Sequence, residues 1–418
     1  MKYIKYAMVL LAFVYWLVPV YLRAFPGWLN SGIYNSIPLF YLLCNFRRVQ
    51  CLLNGIKKKY LWISFSFWVV ALIWSLCAIV YNNTDDYSYF MKIFTAFRWM
   101  YISMFLLLLA ENTLRNKSIL EIFSIFYSGA IAVCVFFTVL TLLFPDMREN
   151  YILLLNKTDR PSLLEDEMYI TRFSVGGFAG FNQTILASIA GILSYYLISR
   201  KIYIGFPLLL VSLLGNLFYG RIGIILSLVA IVVLMMKTLK FNTIAWQVGG
   251  IVIAFFFLYV VLGFFDNPMF DAWKLWLMQP IEGFIQGLQY GQITFGSSGD
   301  KLVYGMYFMP DDSTILLGDG RYENVDGSYY MNTDAGYMRI ILYFGVIGAF
   351  LIYGSYLALT AFALHNLRGN KVCRYLIMAL VICFFVAEYK GDAYPIFFGI
   401  VMVLGLCGNG REVSVCRR

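Results

Sequence analysis

Charged residues are scarce in this chain, and histidine is almost absent. Lys, Arg, Asp and Glu together make up 13% of the 418 residues, and there is one histidine. Hydrophobic residues make up 61%, and the mean hydropathy is +0.74. Soluble domains carry about 25% charged residues. The composition therefore excludes a soluble globular protein and predicts an all-α polytopic membrane protein.

Apolar runs of helical length recur along the whole chain. We predict about twelve transmembrane helices, near residues 6–22, 31–46, 60–81, 93–110, 119–144, 174–198, 203–218, 222–236, 243–264, 336–364, 375–389 and 394–408. Several of these runs are short for a hydrocarbon core of about 30 Å. The pattern predicts a single integral membrane domain, 1–418, that contains one large polar loop, 265–335.

Most of the 32 lysines and arginines fall in alternate segments between the predicted spans. Basic residues collect on the cytoplasmic side of membrane proteins. This bias predicts cytoplasmic N- and C-termini and places the large loop, with 82–92 and 145–173, outside. The net charge of +9 follows from the same bias and from attraction to anionic membrane lipid, so it requires no nucleic-acid partner.

None of the eight cysteines falls in the three outward segments. Those segments therefore need no disulfide, and they cannot assemble a Cys/His metal cluster. The chain also lacks the spacing of a P-loop, a zincin or a hydrolase triad. We expect no metal and no other cofactor, although Asp311, Asp312 and Asp319 could gather around a hard cation.

The large loop begins with a pattern of helical spacing. Its apolar residues recur at three- and four-residue intervals from Pro268: Phe270, Trp273, Leu277, Ile281, Phe284 and Leu288. This predicts one or two amphipathic helices at the outer interface, interrupted at Pro280. They could pack on the bundle or form a lid over a lipid-linked substrate.

Four arginines are predicted at the outer side of the spans: Arg98, Arg172, Arg221 and Arg339. A charge near hydrocarbon is costly unless it is paired or functional. Guanidinium groups bind phosphate oxygens through two parallel hydrogen bonds and stay protonated. The arginines therefore indicate a phosphate-bearing ligand, with contact to lipid headgroups or carboxylates as the alternative.

Segments between residues 170 and 350 resemble the O-antigen polymerases. They are Arg172–Gln183 at the start of a span, the turn Tyr219–Gly223, Leu317–Gly320, Asp334–Tyr337 and Tyr343–Gly348. The chain departs from the family at Gly220, where serine is common, and at Asp334. Many relatives, above all the O-antigen ligases, carry histidine there.

The resemblance implies a metal-independent glycosyltransferase of the bacterial inner membrane. Such an enzyme moves a glycan from undecaprenyl diphosphate to a sugar hydroxyl of another lipid-linked repeat unit, on the periplasmic face. A chain-length regulator would be its protein partner. An O-antigen ligase and, outside the enzymes, a flippase for the same lipid-linked oligosaccharide are the alternatives.

For this reaction we predict Asp334, Arg221 and Arg339 as catalytic residues. The predicted substrate-binding residues are Arg172, Arg221, Arg339, Arg98, Arg321, Asn182, Asp319 and Tyr337. Removing the proton of the acceptor hydroxyl calls for a general base. His365 lies at the predicted cytoplasmic end of a span, so Asp334 is the first candidate.

Several of these side chains have a second interpretation. Asp319, Asp312 and Glu323 follow Asp334 as candidate bases. Asp334 could instead cap the following helix. Four tyrosines could stack on sugars: Tyr322, Tyr329, Tyr330 and Tyr337. Gly318 and Gly320 are expected to serve turn geometry.

Overall fold

The computed structural model describes residues 2–54, 56–111, 113, 118–155, 172–236, 275, 278, 282–283, 285–289 and 297–407. The predicted span 243–264 and most of the predicted amphipathic segment from Pro268 lie outside these residues. The described residues are mainly helical. The principal helices are α1 (Lys2–Leu17), α2 (Gly27–Cys44), α3 (Phe46–Asn54), α4 (Lys59–Tyr81), α5 (Ser88–Glu111), α6 (Ile119–Leu143), α7 (Pro145–Leu154), α8 (Phe181–Ser199), α9 (Gly205–Tyr219), α10 (Arg221–Met235), α11 (Ser297–Asp300), α12 (Asp312–Leu317), α13 (Gly336–Asn366), α14 (Lys371–Glu388) and α15 (Tyr394–Leu406).

Five of the described helices are long and apolar enough to cross a membrane: α4, α5, α6, α8 and α13. Four shorter helical stretches are also apolar: Tyr3–Leu17 of α1, α9, α10 and α15. Length and composition thus fit the predicted helical membrane protein. The total of twelve spans stays a prediction.

Several predicted boundaries were wrong. The sixth span was expected from residue 174, but Phe173–Ser174 (β1) pairs with Gly177–Phe178 (β2) as an antiparallel hairpin. The helix that follows begins at Phe181. The short helices α3 and α7 were not predicted, because neither is long or apolar enough to be read as a span.

The chain divides into two compact units, each made from separate stretches of sequence. Unit 1 contains residues 1–37, 109–117 and 121–282, and unit 2 contains 38–108, 118–120 and 283–418. Each unit therefore contains helices that are far apart in the sequence. The two units are described separately below.

In unit 1, helices α8, α9 and α10 pack closely around small and polar side chains. A Cβ atom on Gly223 would lie 2.4 Å from Oδ1 of Asn216, so only glycine fits there. Asn216 is buried, donates to Oγ of Ser227 at 2.7 Å and accepts from Ser188 at 3.3 Å. Apolar surface gives helices no reason to associate in lipid, so close backbone approach and buried hydrogen bonds hold them together.

In unit 2, α4 and α13 run antiparallel and share contacts along their length. Trp74 donates to the carbonyl of Phe344 at 3.0 Å, and Ser64 donates to the carbonyl of Ser355 at 2.7 Å. At the far end of the pair, the ring of Tyr60 lies 5.8 Å from that of His365. The opposite ends of α4 and α13 approach the loop 318–334.

Helix α13 is broken near its first third. Phe344 has φ −142° and Gly345 has φ 67° and ψ −171°, which no helix contains. The break releases the carbonyl groups of Leu342 and Tyr343 from the helical pattern. They accept hydrogen bonds from the backbone N–H groups of Asp319 at 2.7 Å and Gly320 at 2.8 Å. The sequence predicted a continuous span here.

Glycines make this docking possible on both sides. Gly318 and Gly320 have φ values of 76° and 64°, which agrees with the turn role expected for them. A Cβ on Gly318 would lie 2.4 Å from the backbone of Phe344. One on Gly345 would lie 2.2 Å from the carbonyl oxygen of Leu316. Two backbone segments therefore touch where neither could carry a side chain.

We expect Gly345→Ala to destabilise the protein by at least about 2 kcal/mol, because it combines a left-handed backbone with a backbone clash. The unfolding midpoint of the purified protein in detergent measures this effect. Gly369→Ala is the matched control, since a Cβ at Gly369 would meet nothing within 4 Å. Equal midpoints for the two variants would contradict the tight docking of residues 316–320 on α13.

Candidate functional site

Three segments meet at one end of unit 2, which we call the loop end. They are the connection 82–87 between α4 and α5, the segment 318–334, and the turn 389–393 between α14 and α15. Asn82 donates to the carbonyl of Gly318 at 3.0 Å, and Thr84 donates to that of Gly320 at 2.8 Å. The first two segments belong to regions predicted on the outer side, and the turn 389–393 was not singled out in the sequence analysis.

Asp86 connects the segment 82–87 to the segment 318–334 through hydrogen bonds. Its Oδ2 accepts from the backbone N–H groups of Tyr322 at 2.5 Å and Glu323 at 2.9 Å, and its Oδ1 accepts from Ser88 at 2.9 Å. Burial raises the pKa of Asp86, but the hydrogen bonds outweigh it, so the pKa lies below its usual value. Sequence reasoning missed this carboxylate.

Arg339 is buried between two aromatic rings. Its Cζ lies 3.3 Å from the ring centre of Tyr322 and 4.2 Å from that of Tyr329. Nη2 donates to the carbonyl of Tyr322 at 3.4 Å and lies 3.9 Å from Oε1 of Glu323. The loop end therefore holds a desolvated guanidinium in place, with Nε unpaired among the described residues.

The tyrosines predicted to stack on sugars have other contacts here. Tyr322 is only 4% exposed, and Arg339 covers one of its faces. Tyr330 donates to Oδ2 of Asp319 at 3.1 Å, and Tyr337 donates to the carbonyl of Phe385 at 2.7 Å. Tyr329, at 45% exposed, is the member of this group most open to a ligand.

Two of the acidic residues predicted as site residues, Asp319 and Asp334, form hydrogen bonds within the loop end. Oδ1 of Asp319 accepts from Thr314 at 2.6 Å, while Tyr330 occupies its other oxygen. Asp334 accepts from Nζ of Lys390 with both oxygens, at 3.1 and 2.9 Å. The capping interpretation of Asp334 was wrong, because α13 begins after Ala335 and has no side-chain cap.

Three ionisable residues that the sequence analysis did not single out complete the loop end: Lys92, Glu388 and Asp392. Nζ of Lys92 lies 3.0 Å from Oδ2 of Asp392 and donates to the hydroxyl of Tyr322 at 2.5 Å. Glu388 is fully buried at the end of α14. Carboxylates four residues apart at the end of an apolar run were the signal that could have identified this site.

In unit 1, the predicted Arg172 and Arg221 lie close enough for their charges to interact. Arg221 is the first residue of α10 and follows Gly220, whose Cβ would lie 2.7 Å from Oγ1 of Thr184. Burial lowers the pKa of the Arg221 guanidinium, and the positive charge of Arg172 lowers it further. Both side chains are partly buried. Arg148 of α7 is also buried in this unit.

The remaining predicted residues are dispersed. Arg98 lies in the interior of α5, about 15 Å along the helix from Ser88 by helical rise, because α5 begins before the predicted boundary. Asn182 and Arg321 are exposed, in the first turn of α8 and in the loop respectively. His365 lies at the far end of α13 from Arg339, as predicted.

No metal-binding cluster of three or more His, Cys, Asp or Glu residues occurs in the part of the chain that the structure describes. Asp311 and Asp312 stand beside each other at the start of α12. Asp319, the third candidate ligand, uses both oxygens within the loop.

No family model, curated protein or solved structure matches this chain.

The hydrogen bonds of Asp86 generate a pH-dependent prediction. A carboxylate with a lowered pKa stabilises the fold above its unfolded-state pKa of about 3.9, and this stabilisation is lost as the pH falls through the folded-state value. Asp86→Asn should therefore lower the unfolding free energy by about 1 kcal/mol at pH 7, since the site is half-exposed. The difference should shrink as the pH falls below about 4, and it should vanish only below the folded-state pKa, which lies lower still.

Asp85→Asn is the matched control for Asp86→Asn, because Asp85 is the exposed neighbour. Unfolding midpoints of both variants and of the parent protein, measured between pH 3 and 7, supply the comparison. A midpoint of Asp86→Asn equal to that of Asp85→Asn at pH 7 would show that the loop does not depend on the carboxylate.

Proposed function

We propose that the protein polymerises lipid-linked oligosaccharides in the bacterial inner membrane. It transfers the glycan of one undecaprenyl-diphosphate-linked repeat unit to a sugar hydroxyl of another, on the periplasmic face and without a metal. The observation that carries this proposal is that two of the predicted arginines, Arg172 and Arg221, are partly buried in unit 1, and that Arg221 follows Gly220 at the start of α10. The segments between residues 170 and 350 that resemble the O-antigen polymerases, and the order in which they occur, support it.

The chemistry of the leaving group explains why this pair matters. When the bond between the anomeric carbon and the diphosphate oxygen breaks, negative charge grows on the diphosphate. Fixed cationic donors stabilise that charge without reorganising, and they act strongly where water is excluded. Arg221 stands at a turn where glycine allows the chains to approach closely.

Unit 2 has a cationic site of its own at the loop end. Arg339 is held in a fixed place by Tyr322 and Tyr329, so binding an anion would cost little side-chain entropy. We assign it to the glycan or to the diphosphate of the acceptor. Arg321 and Tyr329 lie exposed in the same loop and complete the surface open to a sugar.

The proposed topology has twelve spans, cytoplasmic termini and a large periplasmic loop, 265–335. It is supported by the contacts within unit 2, because segments predicted outside meet at the loop end. Segments predicted inside meet at the opposite end, where the backbone N–H of Lys57 donates to Oδ1 of Asn366 at 3.3 Å. One observation opposes it: Cys51 is disulfide-bonded, and disulfides are rare in the cytoplasm.

A transporter of lipid-linked oligosaccharides is the second candidate. It is favoured by Arg98, since a charge deep within a span is typical of a transport pathway. A ligase is disfavoured because His365 is far from the loop end. The lipopolysaccharide ladder of a deletion strain separates the candidates: a single-repeat band indicates a polymerase, and bare core indicates a ligase or a flippase.

The sharpest test of the polymerase is Arg221→Lys. If a two-pronged guanidinium contact holds the diphosphate, the point charge of lysine cannot replace it. Arg221→Lys and Arg221→Ala should both lose about 30- to 1,000-fold in rate, which corresponds to about 2–4 kcal/mol of transition-state stabilisation. The readout is the lipopolysaccharide ladder at matched protein level.

Arg200→Ala is the control for loss of an arginine from unit 1. Arg200 pairs with Glu121 at 3.1 Å at the other end of α8, away from the proposed site. This variant should keep a full ladder. A full ladder from Arg221→Ala at normal expression would show that Arg221 does not bind the diphosphate.

The topology has its own test. A cysteine introduced at Ser297 or Asp326 should react with an impermeant thiol reagent in whole cells, above the level of the parent protein. A cysteine at Gly369, on the predicted cytoplasmic side, should react only after the cells are opened. Labelling of Gly369→Cys in intact cells would reverse the orientation.

A further inference from the structure

The carboxylates at the loop end differ in how many hydrogen bonds they receive. Asp86, Asp319 and Asp334 each accept on both oxygens. Glu388 accepts from the backbone N–H groups of Ala393 and Tyr394 on Oε1 and from the hydroxyl of Tyr353 on Oε2. These four groups have little capacity left for a ligand.

Asp392 is the exception. Its side chain is 1% exposed, and neither oxygen receives an aligned hydrogen bond from the described residues. Lys92 lies 3.0 Å from Oδ2, so the contact is an ion pair whose angle is poor for a hydrogen bond. A buried carboxylate that receives no aligned hydrogen bond is costly, since the ion pair with Lys92 replaces only part of the interaction with water that its lone pairs have lost. Such a group is a binding site for a molecule that brings a donor.

Lys92 prepares this site. Its ammonium forms an ion pair with Asp392 and donates to the hydroxyl of Tyr322, and an ammonium has three N–H groups, so at least one remains for a ligand. The Lys92 side chain is 29% exposed, which makes it the part of the pair that solvent reaches. Through Tyr322, whose ring faces Arg339, the pair belongs to the same cluster as the buried guanidinium.

A donor beside an acceptor is the pattern that binds a hydroxyl group. Lys92 can donate to the hydroxyl oxygen while Asp392 accepts the hydroxyl proton. An inorganic anion would be repelled by Asp392, and an isolated cation would be repelled by Lys92. The chemistry of the pair therefore favours a neutral polyhydroxylated ligand.

We propose that Asp392 receives the acceptor sugar hydroxyl and takes its proton, and that Lys92 positions Asp392. This inference rests on the proposed function. In the transfer, the hydroxyl O–H bond breaks and its proton moves to Oδ1 of Asp392. The hydroxyl oxygen bonds to the anomeric carbon of the donor glycan, and undecaprenyl diphosphate leaves with the electron pair of the broken bond. Asp392 then releases the proton to water.

The geometry favours Asp392 over Asp334 as the general base. Asp334 must first be released by Lys390, which bonds both of its oxygens. Asp392 needs only a hydroxyl that reaches it past Lys92. Hydrogen bonds of a catalytic base are often misaligned in the free enzyme and become aligned when the substrate binds.

The test measures kcat, KM and the pH profile of the full-length protein in vesicles with a lipid-linked repeat unit. Asp392→Asn keeps the shape of the side chain and should lower kcat by about 100-fold or more, with little change in KM. Asp392→Glu should recover part of kcat with a shifted pH profile. Lys92→Ala should shift the acidic limb of the profile, because it removes the charge beside Asp392.

Asp326→Asn is the control, since Asp326 is an exposed carboxylate in the segment 318–334. If the parent protein forms no polymer, the proposed function fails. If the parent forms polymer and Asp392→Asn retains its kcat, or if Asp334→Asn alone abolishes kcat, only the assignment of Asp392 fails. If Asp392→Asn does not accumulate, the pH profile of Asp392→Glu decides, and an unchanged profile overturns the assignment.

Discussion

The loop end depends on the docking of residues 318–320 against the broken part of α13. A carbonyl group released from a helix at membrane depth has no water to bond, so it must find a donor within the protein. The backbone N–H groups of Asp319 and Gly320 supply donors for two such carbonyls, and Trp74 supplies one for Phe344. The polar segment is therefore held in place by the same hydrogen bonds that make the break in α13 tolerable.

This docking also determines the surroundings of Tyr322. With residues 318–320 in place, Tyr322 follows immediately and meets Asp86, Lys92 and Arg339. One buried tyrosine thus has a cation against its ring face and a second cation at its hydroxyl. Arg339 belongs to α13 and Lys92 belongs to α5. Helices therefore hold these two charged groups more rigidly than a loop would.

Composition and periodicity were enough to predict long apolar helices and a helical membrane protein. Those features follow from the solvent, because lipid requires long apolar helices and the chain must cross alternately. Arg172, Arg221 and Arg339 were identified from the cost of charge near hydrocarbon, and the structure holds each of them partly or fully buried. Their role in binding stays a prediction.

The break in α13 and the Lys92–Asp392 pair could not be predicted in the same way. Gly345 lies within an apolar run whose composition suits an unbroken span, and its left-handed conformation is imposed by residues 316–320, far earlier in the chain. Lys92 and Asp392 are 300 residues apart in sequence. Spacing describes one helix at a time, whereas these contacts arise from the packing of several helices.

Glu388 sets a limit on which parts of the loop end can move. Its carboxylate accepts from the first N–H groups of α15 and lies where a side chain on Gly336, at the start of α13, would collide with it. The buried carboxylate of Glu388 therefore receives backbone hydrogen bonds from the start of α15 and fills the space beside the start of α13. Movement of the turn 389–393 would therefore remove the backbone hydrogen bonds that this buried carboxylate receives, which ties the turn to the start of α15.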